Sequence, residues 1–143
     1  MGLPAARGRG IIPTMKIATF FMFAGQAEEA LRFYVNLLPN SSIESLDKYG
    51  ANEQGAEGTV KSAVVVIAGA RYRFFDSPVK HAFGFTPAIS LFVDCDSKEQ
   101  LEKFAGALVE GGHYLMGQAN YGFSQWFCWL QDRWGISWQF NLP

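Results

Sequence analysis

The apolar and polar residues of the chain follow a pattern that predicts two units with the same order of elements. The first unit opens with an apolar run rich in β-formers over 15–23, followed by helix-spaced apolar positions over 26–38. Glu28 and Glu29 stand in the first turn of this predicted helix, where the helix dipole favours acids. Three further strands are expected at 42–49, 59–67 and 72–75.

The second half of the chain repeats this βαβββ order. A strand is expected at 87–93, and the string Asp96-Ser97-Lys98-Glu99 offers a capping box for a helix over 97–110. Gly111-Gly112 ends the apolar stripe of that helix. Three more strands are expected at 113–118, 125–131 and 136–140.

A shift of 70 residues superimposes the apolar positions of the two units. It aligns Phe23 with Val93, Leu31 with Leu101, Tyr34 with Phe104, and Leu38 with Leu108. A unit of four strands and one helix leaves one face of its sheet uncovered. Two such units must therefore combine their sheets to enclose a core or a cavity.

Composition restricts both the fold and the function. The 143 residues are 49% apolar, 15% aromatic and 17% charged, which indicates one globular domain and excludes intrinsic disorder. A net charge of -1 without a basic cluster argues against nucleic acid and against anionic membranes as partners. The longest apolar run, 63–70, has the length of a strand and not the roughly 20 residues of a membrane span.

The two cysteines and the N-terminal residues add expectations about location and domain boundaries. Cys95 and Cys128 form no C-x-x-C pair, so we expect neither a disulfide framework nor a structural zinc site, and a cytoplasmic location. Residues 1–14 contain no apolar signal segment and are expected to be an extension before a single domain. That domain, 15–143, divides into modules at about 15–80 and 85–143.

Three motifs carry a resemblance to a known family. They are Gly25-Gln26-Ala27-Glu28-Glu29-Ala30-Leu31-Arg32-Phe33-Tyr34, Asp76-Ser77-Pro78 with Phe85-Thr86-Pro87, and Trp129-Leu130-Gln131-Asp132-Arg133-Trp134-Gly135-Ile136-Ser137-Trp138-Gln139. In combination they resemble the PhnB-like branch of the vicinal-oxygen-chelate superfamily, which includes glyoxalases and bleomycin-resistance proteins. The resemblance covers Met15 to Leu142 and implies an α+β fold of tandem βαβββ modules. It also implies eight mixed strands in an incomplete barrel around a cleft, helices on the outside, and a homodimer.

The resemblance implies either a small-molecule-binding protein or a metal-dependent isomerase, lyase or dioxygenase. The superfamily holds a divalent metal with His, Glu or Gln at inward-facing strand positions, which fall here on Ala18, Ala88, Arg73 and Gln139. Of these only Gln139 could be a weak ligand, whereas a durable site needs at least three protein donors. We therefore expect a small-molecule-binding protein without a cofactor, and the metal-dependent enzyme is the alternative.

Proteins of this branch are often labelled as 3-demethylubiquinone 3-methyltransferase-like. The chain has no glycine-rich strand-to-helix turn followed by an acid, which is the usual seat of S-adenosylmethionine. Methyl transfer is therefore the weaker alternative.

Strand alternation groups the main candidates for ligand binding. Arg71 and Arg73 share one strand face in the first module, and Ser137 and Gln139 share the corresponding face in the second. This lining suits an anionic or polar small molecule, although two arginines on an exposed edge would produce the same pattern. In the resembling fold, Arg73 and Gln139 are expected to face one another across the cleft, with Asp76 near its rim.

Three other candidates have structural alternatives. Asp76 could hold a polar ligand or cap the turn before Ser77-Pro78. His81, between the modules, could transfer protons at the cleft rim or be a solvated linker residue. Trp129 is ambiguous between cleft and core, whereas Trp138 is expected to pack beneath a helix.

Overall fold

The computed structural model describes residues 13–143, so most of the predicted extension 1–14 lies outside the described residues. Within this range, eight strands and two helices form the order βαβββ twice. Their bounds are β1 Thr19–Phe23, α1 Ala27–Leu37, β2 Ser42–Lys48, β3 Val60–Ile67, β4 Ala70–Asp76, β5 Ser90–Asp94, α2 Lys98–Leu108, β6 His113–Ala119, β7 Trp126–Gln131 and β8 Ser137–Leu142. No helix among the described residues has the length and apolar character needed to span a membrane.

Each module forms one four-stranded mixed sheet. The first sheet has the order β1-β4-β3-β2, in which β1 is parallel to β4 and the other neighbours are antiparallel. The second has the order β5-β8-β7-β6 with the same orientations. These sheets do not close into a barrel, and they confirm the predicted α+β fold of tandem βαβββ modules.

One face of each sheet packs against the helix of its own module, and we call the other side the open face. Phe21 on β1 and Phe74 on β4 are in register on the covered side, where both are buried. Because strand residues alternate between faces, Phe20 and Arg73 lie on the open face. In the second module Trp138 is on the covered side and only 1% exposed, as the alternation predicted.

The helices bury the stripes that the repeat predicted. Leu31 and Tyr34 on α1 are fully buried, as are Leu101 and Leu108 on α2. Burial of a large apolar side chain contributes roughly 1.5–3 kcal/mol, so these stripes account for much of the attachment of each helix to its sheet. The buried residues of both modules belong to one continuous hydrophobic core.

The predicted capping box of α2 is present with a different partner. Ser97 Oγ accepts a hydrogen bond from Gln100 N at 3.1 Å, and Gln100 Oε1 accepts one from Asp96 N at 2.8 Å. The return contact therefore comes from Gln100 and not from Glu99. Gln100 is at the third position after the cap, where a side chain reaches back to the start of the helix.

Two predicted strands begin later than the apolar pattern indicated. The runs over 15–23 and 87–93 become strands only from Thr19 and Ser90. Both are edge strands, and in the described residues each is paired with one parallel neighbour. The strand therefore begins where its pairing with that neighbour begins. Met15 therefore stays outside the sheet and is 87% exposed.

Candidate functional site

Two predicted candidates, Arg73 and Gln139, lie on the open faces of the two sheets. Arg73 lies beside Phe20 of β1 on the first sheet, and Gln139 lies beside Phe92 of β5 on the second. Phe20 and Phe92 are each 56% exposed, so residues 13–143 cover neither open face completely. Each of the two candidates thus lies beside an exposed phenylalanine of its module's parallel edge strand.

A hydrogen-bonded network of neutral side chains occupies the second open face. Trp129 Nε1 donates to Ser137 Oγ at 2.8 Å, and Ser137 Oγ lies 2.6 Å from Ser90 Oγ. Gln139 Nε2 donates to Ser90 Oγ at 3.2 Å. Three predicted candidates, Trp129, Ser137 and Gln139, are therefore joined through Ser90. Sequence reasoning missed Ser90 because only the parallel pairing of β5 with β8 brings it opposite Ser137.

The two candidate arginines of the first open face have different surroundings. Arg71 Nε and Nη2 donate to the two carboxylate oxygens of Glu44, each at 2.9 Å. Arg73 makes no ion pair with any residue in 13–143. The charge of Arg71 is therefore matched by a bidentate partner, whereas that of Arg73 is not.

A cavity of about 220 Å³, which we call the bridging cavity, is lined from both modules. Phe20 of β1 contributes from the first open face, and Ser137 of β8 contributes from the second. The segment between the modules adds Phe85, Thr86 and Ile89 to the walls. The cavity therefore combines mostly apolar walls with one hydroxyl of the hydrogen-bonded network.

Arg73 and Gln139 flank the bridging cavity without lining it. Arg73 is the register partner of Phe20, and Gln139 follows Ser137 by two positions on the same strand face. Arg73 is therefore the direct cross-strand neighbour of a lining residue, and Gln139 is the next residue after Ser137 on the same strand face.

Asp76 has a structural environment and not that of a ligand-binding residue. It is 2% exposed, and its Oδ1 accepts from Gly25 N at 2.7 Å and Ala27 N at 3.1 Å, while its Oδ2 accepts from Val60 N at 2.8 Å. The carboxylate thereby caps the start of α1, whose own N-cap residue provides no side-chain acceptor. Asp76 is thus a capping residue, but the element that it caps is α1 and not the turn before Ser77.

A second buried carboxylate, which sequence reasoning missed, joins the two modules. Asp132 Oδ2 accepts from Tyr34 Oη at 2.5 Å and Trp138 Nε1 at 2.9 Å, and its Oδ1 accepts from the backbone N–H groups of Trp134 and Ile136. Because Tyr34 belongs to α1, the contact ties the first module to the turn between β7 and β8. Burial raises the pKa of Asp132, and burial together with the charge of Asp132 raises the pKa of Tyr34. An aspartate that opens a tight turn was the available signal.

Known proteins share this architecture. The sequence model of the 3-demethylubiquinone-9 3-methyltransferase family matches residues 15–141. The PhnB protein from Bacillus cereus is 43% identical, with a TM-score of 0.88, over 90% of this chain and 100% of that chain. The chain belongs to this PhnB-like family.

More distant structures share the fold alone. Protein PA1353 from Pseudomonas aeruginosa is 24% identical to the PhnB-like chain, with a TM-score of 0.78, over 91% of this chain and 98% of that chain. The fosfomycin resistance protein FosX from Listeria monocytogenes is 7% identical, with a TM-score of 0.63, over 92% of this chain and 95% of that chain. Together with the family match, they place the chain in the vicinal-oxygen-chelate superfamily. No curated protein matches it.

In this PhnB-like chain, the four positions that correspond to the superfamily's metal ligands do not provide a set of donors that fits a divalent ion. Ala18 and Ala88 precede β1 and β5 and have no ligating atom, and Arg73 brings a positive charge. Gln139 offers only its amide oxygen, because its Nε2 donates to Ser90 Oγ. Among residues 13–143, no three His, Cys, Asp or Glu side chains are grouped so that they could hold a metal ion. One amide oxygen falls short of the three donors of a durable site.

His81 lies at a separate concavity of about 290 Å³, which it shares with Lys80 and Trp134. Its Nε2 is 2.9 Å from Ser77 Oγ, and its ring stacks on Phe83 with centroids 5.0 Å apart. The side chain is exposed and does not line the bridging cavity. The structure therefore places His81 beside the first module and outside the bridging cavity.

Proposed function

We propose that this PhnB-like protein binds a polar or anionic small molecule in the bridging cavity, without the superfamily's divalent metal. The observation that carries this proposal is that the bridging cavity is lined from the open faces of both modules, by Phe20 of β1 and by Ser137 of β8. Arg73 and Gln139 flank it and can both hydrogen-bond to a ligand. Apolar walls with a few convergent polar groups are the common form of small-molecule sites.

Ligand-induced changes in backbone amide signals test the location of the site. Small polar molecules that stabilise the protein in a thermal-shift screen are expected to move the NMR signals of Phe20, Ile136 and Ser137. Signals of Asn52, in an exposed loop, serve as the control and should stay in place. Binders that move other regions and leave the cavity signals unchanged would reject the bridging cavity as the site.

Elemental analysis tests the metal-free part of the proposal. We expect the purified protein to carry far less than stoichiometric metal, and Mn²⁺, Ni²⁺ or Zn²⁺ to leave its melting temperature unchanged. Gln139→Ala removes the one donor among the four positions, and Gln54→Ala, at an exposed loop residue, is the matched control. Stoichiometric metal that only Gln139→Ala removes would favour a metal-dependent isomerase, lyase or dioxygenase instead.

Calorimetry with S-adenosylmethionine tests the activity that the family description names. We expect no saturable heat, because the chain lacks the glycine-rich turn that usually receives this cofactor. Saturable binding would favour methyl transfer over the present proposal.

We propose further that the PhnB-like chain forms a homodimer. Among the described residues, β1 and β5 each pair with a single strand, and Phe20 and Phe92 on these strands are each 56% exposed. Unpaired strand edges and exposed aromatic side chains favour association with a second copy. Sedimentation should show dimers at micromolar concentration, and particles with the mass of a single chain would contradict the proposal.

A further inference from the structure

The first open face contains one matched and one unmatched positive charge. Arg71 is held by both carboxylate oxygens of Glu44, at 2.9 Å each. Arg73, two residues along the same strand face, has no acidic partner in the described part of the chain. Its register neighbours, Phe20 and Val64, are apolar and leave its charge uncompensated. A planar guanidinium in such surroundings is suited to bidentate pairing with a carboxylate.

The serines of the second open face leave one hydroxyl proton free. Ser90 Oγ accepts from Gln139 Nε2, and Ser137 Oγ accepts from Trp129 Nε1. The two hydroxyl oxygens lie 2.6 Å apart, and only one of their two protons can occupy the space between them. The second proton has no other side-chain or backbone acceptor in the network, so it is available to an oxygen atom of a ligand.

The bridging cavity limits the size and shape of that ligand. Its volume of about 220 Å³ is below the roughly 300–1,000 Å³ of sites for drug-sized molecules, and this favours a ligand with one ring. The rings of Phe20, Phe21 and Phe85 line it, and Phe21 packs edge-on against Phe85 at 5.8 Å. Aromatic walls of this kind pack well against a flat ring.

From the unmatched arginine, the free hydroxyl proton and the aromatic walls, we infer that the ligand is a single aromatic ring that carries a carboxylate. Its carboxylate pairs with Arg73, and its ring packs against Phe20 and Phe85. Ser90 donates to Ser137, and the Ser137 hydroxyl, which lines the cavity, donates to one of the ligand's oxygens. This inference rests on the proposed function, since it names the ligand class of the same cavity.

Benzoate and benzamide are the probes that test this ligand class. They share one ring and nearly the same size, and only benzoate is charged at neutral pH. Titration of isotope-labelled protein at fixed, near-physiological ionic strength should move the amide signals of Phe20, Ile136 and Ser137. We expect benzoate to bind at least about tenfold more tightly than benzamide, because only benzoate forms a charge-assisted pair.

The two arginines provide a matched pair of variants. Arg73→Met is expected to weaken benzoate binding about tenfold to a hundredfold and to change benzamide binding less than about twofold. Arg71→Met removes the same charge from the same strand face, but from a residue already paired with Glu44. It should therefore change benzoate binding less than about threefold. Circular dichroism melts confirm that both variants are folded.

Three outcomes would overturn the inference, and they separate its failure from that of the proposed function. Equal binding of benzoate and benzamide at the cavity signals would reject the aromatic acid and retain small-molecule binding there. Equal losses in Arg71→Met and Arg73→Met would show general charge attraction and reject the specific pair. If neither probe nor any neutral fragment moves the cavity signals, both the inference and the proposed site are rejected.

Discussion

Asp76 in the first module and Asp132 in the second are both nearly inaccessible, with exposures of 2% and 3%. The Asp76 carboxylate accepts hydrogen bonds from three backbone N–H groups, all of its own module. Asp132 accepts from two backbone groups and from two side chains, one of which, Tyr34, belongs to the other module. One carboxylate therefore stabilises a module internally, while the other joins the modules. The bridging cavity is likewise lined by residues of both modules.

The open faces differ in a similar way. The first carries the unmatched charge of Arg73, whereas the second carries a neutral network around Ser137. A repeated backbone thus supports different chemistry in its two copies. The predictions below test this difference between the modules.

The largest effect is expected from Asp132→Ala. The change leaves four donors without their acceptor, including the Tyr34 hydroxyl, so we expect a loss on the order of 4 kcal/mol in the free energy of unfolding. Urea denaturation followed by tryptophan fluorescence measures it. Asp47→Ala, at an exposed position on β2, is the control and should change stability by less than about 0.5 kcal/mol. A loss for Asp132→Ala as small as that of the control would refute the joining role of Asp132.

A smaller effect is expected from Tyr34→Phe, which removes only the donor from the first module. Hydrogen bonds to charged groups contribute about 1.5–3 kcal/mol, and we expect a loss in this range by urea denaturation. Tyr72→Phe is the matched control, since the Tyr72 hydroxyl makes no hydrogen bond with the described residues. If both variants lose the same stability, the contact between Tyr34 and Asp132 is not what joins the modules.

The pH dependence of stability sharpens the comparison further. Burial raises the pKa of Asp132 above its ordinary 3.8 in the folded state, so the folded protein binds this proton more readily than the unfolded chain. The stabilisation that comes from this difference in pKa is complete below pH 3.8. It is lost as the pH rises through the pKa that Asp132 has in the folded protein. As the pH rises over this interval, the free energy of unfolding of the parent should therefore fall relative to that of Asp132→Asn. Urea denaturation at successive pH values measures both. A relative gain for the parent would contradict the raised pKa.

The smallest stability effects are expected at the exposed arginines. Arg71→Met should cost about 0.2–1 kcal/mol, the usual range for an exposed ion pair such as that with Glu44. Arg73→Met should leave the melting temperature within a few degrees of the parent, because no ion pair is lost. Scanning calorimetry measures both. A large loss for Arg73→Met with unchanged ligand affinity would make Arg73 a structural residue and move the binding site elsewhere.

Part of the candidate site was predictable because it depends on strand alternation. Alternation groups Arg71 with Arg73 and Ser137 with Gln139 on one strand face each, and the register places Arg73 and Gln139 on the open faces. The family resemblance implied a position near the cleft rim for Asp76, and the local sequence allowed a turn cap, whereas in the structure Asp76 caps α1. A carboxylate that follows a strand can bind either a ligand or a backbone amide, and local pattern does not distinguish them.

The amino-acid sequence by itself determined the order of the elements and the buried stripes of both helices. Periodicities of 2 and 3.6 residues are local, so Leu31 and Leu101 are recognisable from their near neighbours alone. Only the tertiary structure decided which distant polar groups meet. Ser90 and Ser137 are 47 positions apart in the chain, and Tyr34 and Asp132 are 98 apart. Such contacts depend on how sheets pair and modules pack, and these arrangements leave no periodic signal near either residue.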